Sequence, residues 1–163
     1  MTTTIEQLVD QAEVRIHERK LRLTSLMEKT NNDPRGLELE NRRGGYLTLL
    51  EEPGKPDSVR LLRFDERGFI GHSVYSDAAS ALEDALREGY HEEAAGALDR
   101  LSATPLWQHS TAMLELFHAL NDGTITDEEA RIRRAEIDLL YNIGDNGLTL
   151  PNCPAPQPDQ EEP

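Results

Sequence analysis

The chain has 163 residues, 37% of them apolar and 5% aromatic, with a formal charge of −14. That length allows one domain with a real hydrophobic core. An acidic surface of this kind is repelled by nucleic acid and by anionic lipid, so the charge serves either basic protein surfaces as partners or solubility alone. The charge is unevenly placed. Residues 1–43 hold eight basic and eight acidic groups, whereas residues 44–163 hold nine and twenty-three.

Thr3 and Thr4 stand three positions before Glu6 and Gln7, the spacing of a capping box, and predict a helix running to Lys29. Ile5, Val9, Ala12, Ile16, Leu23 and Leu26 recur in steps of three and four, broken once by Arg19. Those six form an apolar helical stripe, the predicted oligomerisation surface, and residues 1–30 read as a protruding or oligomerising helix. The turn-rich stretch 31–36 ends it.

The period then changes. Residues 46–50, 59–64 and 69–75 are short, β-prone and separated by turn residues, which predicts a three-stranded antiparallel meander. A sheet this small needs a layer over one face. Four helices are expected to supply it. The first is capped by Ser76 or Asp77 and runs through Glu88; the second covers about 91–101. Thr104-Pro105 opens the third, through about Asn121, and a Thr126/Glu129 capping box opens the fourth. The third carries the bulkiest apolar set, including Trp107, Met113, Leu114 and Phe117.

The expected fold class is therefore α+β, a single domain over 1–148 followed by a disordered, acidic, proline-rich tail over 149–163. The sole cysteine, Cys153, lies in that tail, so no internal disulfide can form. No apolar stretch reaches the roughly 20 residues needed to cross a bilayer, and Met1-Thr2-Thr3-Thr4 lacks the basic region and apolar core expected of a signal peptide. A cytoplasmic protein without membrane contact is expected.

Chemistry-bearing motifs are scarce. Asn121-Asp122-Gly123 and the residues to Glu129 align with the latter half of a calcium loop, but the first and third ligand positions fall on His118 and Leu120. Neither offers oxygen to a hard cation, so a tight helix–turn–helix is the expected structure. The same stretch, about 112–140, resembles the short C-terminal helical hairpin family SHOCT. Leu116, Leu120, Asp122-Gly123, Ile125-Thr126, Glu128-Glu129 and Leu139-Leu140 carry the resemblance, while Ala130 stands where that family has an aromatic. The resemblance implies an oligomerisation or interaction role without catalysis.

His109 and His118 are nine positions apart on one helix and point to nearly opposite sides, and the remaining histidines are isolated. No phosphate-binding glycine loop, dinucleotide fingerprint or nucleophile elbow occurs. Neither a catalytic residue, a metal nor a cofactor is predicted. The basic residues of 15–22 and 42–43 are nearly balanced by acids in the same segments, which predicts ion-paired surface and no direct nucleic-acid contact.

Two functional expectations follow. One is an acidic regulator or inhibitor whose carboxylates replace phosphates in a basic nucleic-acid-binding groove, as phage and mobile-element proteins that disarm restriction or CRISPR machinery do. Asp77, Glu83, Asp84, Glu88, Glu92, Glu93 and Asp99 are its predicted contact residues. The other is an oligomeric adaptor, a homodimer in the simplest case, without inhibitory activity.

Overall fold

A computed structural model describes residues 4–144; the predicted tail and Thr3 lie outside them. The described chain is mixed α+β and falls into two compact units. One comprises residues up to 65 together with 69–98, and the other comprises 66–68 and the residues from 99 onward.

The first unit begins with α1, Ile5–Lys29. Thr4 accepts from the amide of Gln7, and the Gln7 side chain accepts from the amide of Thr4, so the capping box forms as expected. The strands are β1 (Glu38–Glu40), β2 (Tyr46–Glu52), β3 (Lys55–Asp65), β4 (Gly68–Tyr75) and β5 (Glu92–Glu93). They form one antiparallel sheet in the order β4-β3-β2-β1-β5. The expected meander is β2–β4, and β1 and β5 extend its β2 side.

Alternation along the long strands assigns the two faces. Leu49 pairs with Leu61 and Glu51 with Val59, while Tyr46 pairs with Phe64 and Thr48 with Leu62 on the opposite face. The first face packs beneath the C-terminal end of α1 and beneath α2 (Ala78–Arg87). Leu26, Leu39, Leu47, Leu49, Leu61, Leu82 and Leu86 are its most enclosed members. Small residues Ala81 and Ala85, both fully buried, let α2 lie close to the strands. On the other face Phe64 stacks on Tyr46, with ring centroids 5.6 Å apart.

The helix expected over 91–101 is replaced by β5 and a shorter α3, Ala97–Ser102. Main-chain pairing captures the first part: His91 donates to the Glu40 carbonyl and Ala94 to that of Glu38. Gly96, at a φ of 75°, makes the turn. The Glu38 carboxylate then accepts from the amides of Ala97 and Leu98 and caps the new start.

In the second unit, α4 (Pro105–Asn121) and α5 (Asp127–Leu140) form the predicted helical hairpin. Thr104 caps α4, and Thr126 and Glu129 close the capping box of α5. His109 and Asp138 join the two helices across 2.6 Å, with the ring nitrogen donating to the carboxylate. The buried residues are Trp107, Ile125, Ala130 and Ile143. Leu114 and Phe117, two of the bulky apolar residues of α4, are more than half exposed.

Candidate functional site

The first unit concentrates two unusual surfaces on and beside α1. The first is the predicted apolar stripe. Leu26 closes the core and Leu23 packs against it, so the C-terminal end of the stripe is spent on folding. Every residue from Thr4 to Glu18 is exposed, including Ile5, Leu8, Val9, Ala12, Val14 and Ile16. About 14 residues of helix, roughly 21 Å at 1.5 Å per residue, thus carry an apolar row covered by nothing among the described residues. An isolated helix of that length is marginal in water.

The second surface is a cleft of about 940 Å³ walled by Arg15, Arg19 and Arg22 of α1, by Arg42 and Arg43, and by the end of α2. A tight turn presents Arg42 and Arg43. Asn41 Oδ1 accepts from the amides of Arg43 (2.9 Å) and Gly45 (3.0 Å), and the amide of Asn41 donates to the Gly45 carbonyl. Gly44 takes a φ of 79°, a conformation that favours glycine, and a Cβ at Gly45 would lie 2.9 Å from the Asn41 side chain, which would have to shift. Arg22 donates twice to the His91 carbonyl and approaches Glu93 at 3.7 Å. Arg15, Arg19, Arg42 and Arg43 have no carboxylate partner among the described residues. Of the acids near them in sequence, Glu38 is turned away to cap α3, whereas Glu18 and Glu40 line the same cleft. Glu88 and Glu92 line it as well, and Glu40 and Glu92 oppose one another across the β1–β5 pairing.

The predicted partner-binding acids divide into two groups. Asp77 is the N-cap of α2, accepting from Ser80, and these hydrogen bonds hold its carboxyl below the ordinary 3.8. Asp84 accepts from the Tyr75 hydroxyl and pairs with Arg87. Glu88 accepts from Arg63, and that side-chain bond raises the Arg63 pKa above its ordinary value. Glu93 pairs with Lys29 and Arg22. Glu83, Glu92 and Asp99 remain exposed and without an ion pair among the described residues.

Arg63 also donates to Ser73 at 3.0 Å, so Ser73, Tyr75 and Arg63 share the helix-covered face of the sheet. His72, by alternation, belongs to the other face. Among the described residues no group of three or more His, Cys, Asp and Glu could hold a metal ion, and no helix is long and apolar enough to cross a membrane. Comparison with family models, with curated proteins and with solved structures finds no match.

Proposed function

We propose that this chain is a non-catalytic protein-interaction module that self-associates through α1. The observation that supports it is the row Ile5, Val9, Ala12 and Ile16, exposed along a helical segment that lacks tertiary support. Covering one such aliphatic side chain is worth about 1.5–3 kcal/mol, so several per copy repay the ordering of the segment. The resemblance of the α4–α5 hairpin to SHOCT points to the same class of role. Sedimentation velocity across a range of protein concentrations tests the reading. Mass should rise with concentration, and Ile16→Glu should abolish the rise while the thermal midpoint of the monomer holds. A wild-type chain that stays monomeric at every concentration defeats the reading.

A second reading is regulation of a protein that presents a basic surface. The exposed carboxylates of Glu83, Glu92 and Asp99, in a chain of net charge −14, favour it. Its test is capture of a nucleic-acid-handling protein with salt-sensitive affinity, competed by that protein's own nucleic acid and weakened by a Glu83→Gln/Glu92→Gln variant.

A further inference from the structure

The free and the buried parts of the α1 row face one way. Leu23 lies eighteen residues after Ile5, about five turns of 3.6 residues, so the two side chains point in the same direction. Leu23, Leu26 and Met27 are the part that meets the core. Ile5, Val9, Ala12 and Ile16 continue that face beyond the core and are exposed. This alignment restricts what covers them. A second α1 laid on the free row and running parallel to the first would be carried by its next turns into the space held by the first copy's own strands and α2. An α1 running the other way leaves that space, and its own core lies beyond the first copy's N-terminal end.

The row is also symmetric end for end. Its steps are four, three and four, so reversal sets Ile5 against the partner's Ile16 and Val9 against the partner's Ala12. A self-complementary patch of this kind is what an isologous interface needs, and such an interface closes at two copies. Ala12, small and next to the centre, lets the two axes approach closely, and Arg19, the next position of the stripe, bounds the row. We propose that two copies pair antiparallel over residues 5–16 of α1, with the two-fold axis between Asp10 and Gln11. The pairing has an electrostatic signature. Glu6 and Glu13 share one edge of the helix, about a quarter turn round from the row. Reversal sets each copy's Glu6 beside the partner's Glu13, so charge opposes the pair and the apolar row carries the affinity. On the other edge the exposed Leu8 meets the aliphatic stem of the partner's Arg15. A parallel pair would instead set Glu13 beside the partner's Arg15.

The inference rests on self-association through α1, and disulfide trapping separates the two. In the full chain carrying Cys153→Ser, Ile5→Cys and Ile16→Cys are made as separate proteins, then mixed and oxidised. A disulfide needs Cα atoms about 4.4–6.8 Å apart. The mixture should give a cross-link between the two variants. Ile5→Cys alone should give almost none, because antiparallel copies hold that position about 16 Å apart along the axis. Sedimentation equilibrium reads the charges. Glu13→Lys should tighten the dimer at least about threefold more than Glu136→Lys, the same charge change on α5. Ready self-linking of Ile5→Cys, no disulfide from either preparation, or a Glu13→Lys dimer no tighter than the Glu136→Lys dimer overturns the antiparallel pair and leaves α1 as the interface. Association that survives Ile16→Glu and gives no cross-link lies on another surface and defeats both. Wild-type chains that stay monomeric also defeat both; if deleting residues 149–163 then starts association, the occupant of the row is the chain's own tail.

Discussion

Arg63 grips Glu88 with both arms of its guanidinium, Nε to Oε2 at 2.8 Å and Nη2 to Oε1 at 2.6 Å. The arginine stands on β3 and the glutamate just past the last turn of α2, so the pair pins the end of that helix to the sheet. The Arg63 side chain is only 17% exposed, which distinguishes it from an ordinary surface ion pair. Removing the carboxylate would strand a largely enclosed cation. Glu88→Ala should cost about 1–3 kcal/mol in urea unfolding, and Glu83→Ala, one turn away and solvated, should cost about 0.5 kcal/mol or less. Equal effects would mean that Glu88 contributes only surface charge.

The stripe on α1 has two ends with different duties. Leu26 is 1% exposed, whereas Ile5 is 80% exposed. Leu26→Ala should therefore lower the stability of the monomer by about 2–5 kcal/mol. Ile5→Ala should leave it within about 0.5 kcal/mol and act only on the concentration dependence of mass. Chemical denaturation at a protein concentration where the chain is monomeric separates the two.

Acid should unfasten α2 through Asp77. Its carboxyl lies below the ordinary 3.8 because the amide and hydroxyl of Ser80 donate to the charged form. A depressed acid contributes stability that is complete above its unfolded value and is lost as pH falls through its folded value. Asn is an equally good N-cap but has no proton to gain. Asp77→Asn should keep the stability at neutral pH and flatten the loss below 3.8, as urea midpoints over a descending pH series would record. An unchanged acid limb would assign that loss to other carboxylates, such as Glu52 beside Arg60 or Glu129 at the start of α5.

Asn41 holds the turn that aims Arg42 and Arg43. Asn41→Ala strips the acceptor from two amides and should cost about 1–3 kcal/mol. Asn41→Asp restores an acceptor and should recover most of it. Thermal unfolding of the two variants is the measurement, and equal losses would show that the turn is held by its glycines alone.

The elements that sequence made legible are those specified by their own residues. Thr4 with Gln7, Thr104 with Pro105, and Thr126 with Glu129 are local signals, and all three helix starts sit where the spacing puts them. The strands β1 and β5 escaped notice because three and two residues carry no readable alternation; the partner strand defines them. The segment after Tyr90 has helix-favouring alanines, but His91 and Ala94 pair instead with the main chain of β1. The arginine cleft was equally hidden. Its walls come from three separate segments, 15–22, 40–43 and 86–92, which only the fold brings together. The predicted acids Asp77, Asp84, Glu88 and Glu93 turned out to have partners of their own, which composition could not reveal.

The two borders of the sheet are not equally defended. β5 ends one side with two residues, both glutamates, so an arriving strand finds little backbone to pair with and two negative charges in its way. β4 ends the other side with eight residues, no carboxylate or ammonium, and Ile70 and Val74 facing outward. If warming or crowding drives this protein into fibrous aggregates, growth will begin at β4, and a lysine in place of Ile70 is the gatekeeper that would stop it.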